Sequence, residues 1–255
     1  MSMLKSPDQI ALMREAGRVV ANALGAVREH AAVGVALKEL DDVAAAVIAD
    51  AGARPAFLDY HPRWAAVPFP GVICASVNDA VVHGIPDGYA LQDGDLLSVD
   101  CGAFLEGWCG DSAISFIVGE ANPVDLELIA ATEAALARGI EAARVGNKMG
   151  DLAYAIGGEA KRAGYGLLAD HGGHGIGRTM HAEPPVPNNG RPGRGMKLEE
   201  GLVIAIEPML LLGGKDDYYH DDDEWTLRSS NGLRAAHSEH TVAITAEGPM
   251  ILTLP

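Results

Sequence analysis

A chain of 255 residues is large for one ordinary domain and short for two, so length leaves a single core or two fused halves open. Its composition, 48% apolar with few aromatics, excludes a disordered polypeptide and suits a core packed mainly with Ala, Val, Leu and Ile. The formal charge of -16 repels phosphate backbones, and no basic cluster offsets it, so no stable nucleic-acid partner is expected.

From the beginning of the chain, Met1 to Gln9 lacks the apolar core of a signal peptide, and no later apolar run is long enough to span a bilayer. The expectation is a soluble cytoplasmic protein without a membrane partner. Ser6, Pro7 and Gln9 are a helix start: Ser as cap, Pro at the first helical position, Gln reaching back from the third. Ile10, Met13, Gly17, Val20, Leu24 and Val27 then draw one stripe at three- and four-residue steps, and that stripe should face a core. Leu37, Leu40, Val43 and Val47 predict a second helix stopping at Gly52, with Pro55 just beyond.

The texture then turns to β. Val72 to Val77 reads as a short strand, and Leu96 to Phe104 with Trp108 to Val118 reads as a hairpin turning through Leu105, Glu106 and Gly107. Cys74, Cys101 and Cys109 fall in these apolar stretches without metal-ligand spacing, as in a reduced intracellular protein. Asn122 and Pro123 start a third helix to about Arg144, and a fourth runs from about Gly150 to Ala163 before Gly164. Strands return at Leu202 to Leu211, His240 to Thr245 and Ile251 to Leu254. Helices, strands, helices, strands, without βαβ alternation, predict an α+β fold with antiparallel sheet. With no linker or short repeat, residues 1–255 read as one domain with a short N-terminal extension.

Two acids stand inside apolar strand runs, Asp100 in Leu96-Leu97-Ser98-Val99-Asp100-Cys101 and Glu207 in Val203-Ile204-Ala205-Ile206-Glu207-Pro208. A buried carboxylate needs a cation, a proton or a metal. If the hairpin turns between Leu105 and Glu106, Asp111 faces Asp100 directly, and two opposed carboxylates about 5 Å apart at Cβ would hold a cation between them. His171, His174 and His181 lie among Gly172, Gly173, Gly175 and Gly177, where backbone can approach closely, and one of these histidines suffices as a ligand. Glu239, at the head of a strand, would be dismissed as a surface acid but for this company. Four carboxylates and one imidazole make an oxygen-rich site for a divalent metal, and a pair of ions about 3.5–4 Å apart would activate water for hydrolysis.

These residues resemble the type I methionine aminopeptidases over nearly the whole chain. The resemblance rests on Asn78 through His83-Gly84-Ile85-Pro86, on Asp100 and Asp111, on His174-Gly175-Ile176-Gly177 and His181-Ala182-Glu183-Pro184, on Ile206-Glu207-Pro208-Met209, and on Ser238-Glu239-His240-Thr241. It implies the pita-bread fold, two similar halves of antiparallel sheet covered by helices. It also implies two divalent ions, drawn from Co, Mn, Fe, Zn or Ni, with Asp100 on one, Asp111 and Glu239 bridging, and His174 and Glu207 completing the second. Glu207 would also take a proton from the attacking water, while His83 and His181 hold substrate and stabilise the oxyanion. Tyr60, Phe69, Cys74 and Trp225 are nominated for the methionine pocket. The implied substrate is the N-terminal methionine of nascent polypeptides whose second residue is small, met by a monomer in transient contact with the ribosome.

One departure from the family stands out. The usual Tyr-His-Gly-Phe-Pro loop is split, with Pro62 to Pro68 between Tyr60-His61 and Phe69-Pro70, and Phe57 occupies a position that is Cys in many relatives. The acidic run Asp216 to Glu224 reads as a solvated loop beside Trp225. The nearest rival function is a Pro-bond peptidase of the same fold, of prolidase or aminopeptidase P type. A non-catalytic binding protein would be expected to lose ligands, and a two-metal phosphoesterase would want Arg or Lys near the metals, where the motif segments carry only Arg178.

Overall fold

The computed structural model describes residues 3–168 and 170–255; Met1 and Ser2 of the N-terminal extension, and Ala169, lie outside the described residues. Helix α1 (Pro7–His30) begins at the expected cap: Ser6 Oγ accepts from the Gln9 amide at 3.3 Å, and the Ser6 amide donates back to Gln9 Oε1 at 3.0 Å. Helix α2 (Leu37–Asp50) is followed by Gly52 at φ 68°, α3 (Pro123–Ala142) is capped by Asn122, and α4 (Met149–Ala163) ends on Gly164 at φ 81°. Among the described residues no helix is long and apolar enough to cross a membrane.

Among the described residues every strand pairing is antiparallel, and the largest sheet has nine strands. Side chains of α1 and α2, among them Val20, Leu24, Leu40 and Ile48, pack with Ile73, Val99 and Phe116 in one core. Leu128, Leu136, Leu152 and Ile156 of α3 and α4 pack with Ile204, Ile206, Val242 and Ile244 in a second. A third, aromatic cluster containing Phe57, Phe69, Trp108 and Trp225 surrounds the site described below.

The α1 stripe approaches the sheet closely because it carries a glycine. A Cβ on Gly17 would lie 2.2 Å from the Leu252 carbonyl oxygen, and one on Gly110 would lie 2.8 Å from Gly17 Cα. Gly17→Ala is therefore expected to push helix from sheet and destabilise the fold by roughly 1–3 kcal/mol, an overpacking cost. Calorimetry should show a melting midpoint several degrees lower; an unchanged midpoint would mean that the contact is not tight.

Four expectations need correction. The hairpin of Leu96–Leu105 and Trp108–Ile117 turns in two residues, not three: Glu106 and Gly107 have φ 50° and 78°, the paired left-handed geometry that suits a tight hairpin. Asp111 consequently faces Gly102, and Asp100 faces Ala113. The expected strand Leu202 to Leu211 is two, Val203–Ile206 and Met209–Leu211, because Pro208 has no N–H for the ladder; the chain leaves the large sheet there and joins Ala235–His237 in a smaller one. The last strand is Gly248–Ile251, a hairpin partner of Glu239–Thr245, while Leu252 turns back toward α1. Finally, the acidic run includes strand Tyr218–His220, paired with Leu227–Ser229, so it is only partly a loop.

Candidate active site

The corrected register still puts Asp100 and Asp111 on one face. Ala113 pairs with Asp100 on one side and with Glu239 on the other, and Asp111 lies two residues from Ala113, so the three carboxylates share the same side of adjacent strands. Gly102, opposite Asp111, leaves room for that side chain: a Cβ there would lie 3.2 Å from Asp111 Oδ1 and 2.8 Å from the Phe57 ring. Thr241 fixes Asp111 from behind, its Oγ1 accepting from the Asp111 amide at 3.0 Å and donating to the Asp111 carbonyl at 2.8 Å. Glu207 sits at the break where the chain leaves strand Val203–Ile206, and Asn188 Nδ2 holds its carbonyl at 2.9 Å. His174, in strand Gly172–Gly175, completes the group, with Nε2 3.5 Å from Glu207 Oε1 and 3.8 Å from Asp111 Oδ2.

The electrostatics of this group are unbalanced. Asp111 is 3% and Glu239 2% exposed, and Asp100 Oδ1, Asp111 Oδ1 and Glu239 Oε1 are buried without a hydrogen-bond partner. Among the described residues, the ion pairs of Asp111, Glu207 and Glu239 are with histidines, not with Lys or Arg. Burial, and then repulsion among the carboxylates, holds Asp111, Glu207 and Glu239 well above the usual carboxylate range, and burial pushes Asp100 up to about 7. Burial also lowers His174, so that its ring stays neutral with Nδ1 against the Gly175 carbonyl at 3.0 Å. One donor atom each from Asp111, His174 and Glu239 lies within 4.8 Å of the others, and the same holds for Glu207, His237 and Glu239. Orphaned carboxylate oxygens, a neutral imidazole and no organic cation fit a divalent metal.

His237 was not singled out in the sequence. It is 2% exposed, and its Nε2 has no hydrogen-bond partner and faces Glu239 Oε2 at 3.7 Å and Glu207 Oε2 at 4.0 Å. Its position two residues before Glu239 was a usable signal, since alternate residues of extended chain face the same way.

Beside the carboxylates is a cavity of about 330 Å³, lined by all four nominated residues, Tyr60, Phe69, Cys74 and Trp225, and by Phe57, Trp64, His83 and His181. Cys74 pairs with Asp100 across strands, and burial raises its thiol so that it remains an uncharged part of the wall. Asp223 presents Trp225: its carboxylate accepts from the amides of Trp225 at 2.9 Å and Thr226 at 2.7 Å, which gives the acidic run a structural task. His181 Nδ1 meets the Tyr60 hydroxyl at 2.9 Å, and its ring lies 4.3 Å from that of His174. His83 is held at φ 61°, an uncommon backbone for a non-glycine residue, with its ring edge-on to Trp225. Burial lowers both rings, His83 to about 4 and His181 to about 3, so each is a neutral hydrogen-bonding group at physiological pH. Arg178 is elsewhere, stacked on Trp108 at 4.2 Å and bonded to the Glu106 carbonyl. No Lys or Arg is among the cavity-lining residues, which removes the cation that a phosphate site would want.

Comparison with known proteins agrees with this geometry. The sequence profile of metallopeptidase family M24 matches residues 11–246. The chain is 49% identical to methionine aminopeptidase 1 of Mycobacterium tuberculosis over 98% of its length and 94% of that protein. It is 43% identical to the methionine aminopeptidase of Aquifex aeolicus over 98% of both. The crystal structure of methionine aminopeptidase from Thermotoga maritima superposes with a TM-score of 0.94 at 35% identity, covering 99% of each chain. Prolidase from Pyrococcus furiosus shares the fold at a TM-score of 0.80, but at 23% identity and with only 66% of its length covered. With antiparallel sheet covered by helices, a buried carboxylate group on its largest sheet, the pita-bread fold of its structural neighbours, and identity of this extent along its full length, the chain belongs to metallopeptidase family M24 and, within it, to the methionine aminopeptidases.

Proposed function

We propose that this protein removes the N-terminal methionine from new polypeptides whose second residue is small, by metal-assisted hydrolysis of the first peptide bond. The observation that carries the reading is a group of buried carboxylates without Lys or Arg partners among the described residues, lining a cavity of about 330 Å³ together with aromatic side chains. Asp100, Asp111, His174, Glu207 and Glu239 would hold two divalent ions, drawn from Co, Mn, Fe, Zn or Ni. When bound, those ions supply Lewis acidity and lower the pKa of water.

The other parts of the reaction belong to the chain. Glu207 receives the proton of the attacking water and passes it to the leaving amine. His83 and His181, neutral and partly desolvated, present N–H donors to the scissile carbonyl and the oxyanion it becomes. Tyr60 orients His181 through its hydroxyl. Tyr60, Phe69, Cys74 and Trp225 desolvate the methionine side chain, a contribution of about 1.5–3 kcal/mol for full burial. The reading treats residues 1–255 as one catalytic domain, a monomer working in the cytoplasm in transient contact with the ribosome.

Met-Ala-Ser, Met-Lys-Ser and Gly-Pro test the assignment with metal-reconstituted protein. Methionine release from the first alone is the expected result. Cleavage of Gly-Pro alone would replace this reading with a Pro-bond peptidase.

A further inference from the structure

The loop between Tyr60 and Phe69 is pinched at its base. The Asp59 amide donates to the Phe69 carbonyl and the Phe69 amide to the Tyr60 carbonyl, each at 2.9 Å, so the residues between form a closed excursion over the cavity mouth. Its far side is tied down by Trp225, whose Nε1 donates to the Val67 carbonyl at 3.1 Å, and it is braced internally by Ala65 N to Pro62 O and by His61 Nε2 against Ala65 O, each at 3.1 Å. Trp64 is carried on this excursion. Its ring centroid is 5.1 Å from that of Trp225, which in turn is 5.1 Å from Phe69, and Phe69 is 6.5 Å from Phe57. This row of aromatic rings climbs from the interior to the surface. Trp225 is 4% exposed, whereas Trp64 is 61% exposed and still lines the cavity.

We infer that Trp64 is a specificity-determining residue, forming a subsite for an apolar or aromatic side chain of the peptide beyond the scissile bond. The inference rests on the aminopeptidase reading. With the N-terminal methionine among the buried rings and its carbonyl at the carboxylates, the remaining peptide must leave through the mouth that Trp64 overhangs. An indole keeping 61% of its surface in water, while its backbone is fastened on both sides, is a preformed apolar platform that costs little ordering on binding. The chain as a whole carries a charge of -16, so an acidic peptide approaches it less readily than a neutral one.

The test is a third-residue series, Met-Ala-Ser, Met-Ala-Phe and Met-Ala-Asp, with wild type, Trp64→Ala and Trp64→Phe. In the wild type, kcat/KM for Met-Ala-Phe should exceed that for Met-Ala-Ser by roughly five-fold, carried by KM. That is about 1 kcal/mol, the size of one aromatic contact. Met-Ala-Asp should fall below both. Trp64→Ala should bring the Phe-to-Ser ratio close to one, and Trp64→Phe should retain most of it, with melting midpoints unchanged from wild type. An unaltered ratio in Trp64→Ala would overturn the inference. So would equal losses on Met-Ala-Phe and Met-Ala-Ser, which would make Trp64 part of the methionine pocket. If the wild type released no methionine from any of these peptides, the function reading itself would fail, and that result is distinct from a loss of third-residue preference.

Discussion

Asp111→Asn is expected to leave a folded, soluble protein that binds divalent metal poorly and turns over substrate at least roughly 10²-fold more slowly, since loss of a group that merely supports a metal ligand already costs 10- to 100-fold. The two halves of this result have one cause. Asp111 sits among carboxylates that Lys and Arg do not neutralise, and burial together with repulsion from Asp100 and Glu207 raises it well above its ordinary range. Without metal the raised Asp111 carboxyl is held largely protonated, and a neutral amide of the same shape resembles that form, so the metal-free variant should melt no lower than the metal-free wild type. Thr241 continues to hold the backbone of residue 111 in place. The same change takes away the anionic oxygens with which residue 111 would hold metal. Metal content by atomic emission, melting by circular dichroism and methionine release should be read together. Near-normal turnover with a full complement of metal would remove Asp111 from the bridging role; a variant that fails to fold would show that the carboxylate is structural.

Much of this site was readable because its chemistry conflicts with its surroundings. Asp100 and Glu207 interrupt runs of apolar residues, and an acid there needs a partner whatever the fold. The glycines around His174 announce close backbone approach, and in the structure a Cβ on Gly173 or Gly175 would meet the carbonyl oxygen of Ala205 at 2.0 Å or of Glu183 at 2.1 Å. Register was less legible. Placing the turn one residue early shifts the pairing by two, which misassigns the partners of Asp100 and Asp111 but preserves their shared face; a shift of one would have sent them to opposite sides. The strand break at Pro208 has a plain local cause, yet an apolar run on both sides concealed it. Trp64, and the contact of His237 with Glu207, became visible only in three dimensions. Each depends on where a separate segment lies: the 61–68 excursion folds onto Trp225, and His237 meets Glu207 across a gap in sequence that no spacing rule spans.

Stripping divalent metal from the protein is expected to destabilise it more at pH 8 than at pH 6.5, because the metal takes the place of protons. Burial raises Asp111, Glu207 and Glu239 well above the carboxylate range and Asp100 to about 7, whereas in the unfolded chain such groups ionise near pH 4. Without metal, the folded state therefore binds more protons than the unfolded state, and stability falls as pH rises through and beyond about 7. Four histidines act with the opposite sign. His83 and His240 are lowered to about 4, and His181 and His237 to about 3, so the folded state binds fewer protons than the unfolded one below pH 6.5. In the unfolded chain those rings are still half protonated at pH 6.5 and mostly neutral by about pH 7.5, a contribution that is the same with and without metal, which leaves the carboxylates to set the difference between pH 6.5 and 8. Metal ions compete with these protons, so their stabilising effect should grow by about 1.4 kcal/mol per pH unit for each proton displaced. At a free concentration 100 times Kd, an ion that binds only the folded state contributes about 2.7 kcal/mol. Scanning calorimetry with and without chelator at the two pH values gives the difference directly, and titration calorimetry in buffers of different ionisation enthalpy counts the protons released. Equal stabilisation at both pH values, with no proton release, would mean that the carboxylates are ionised before metal arrives. Some cation other than the metal would then have to be holding them.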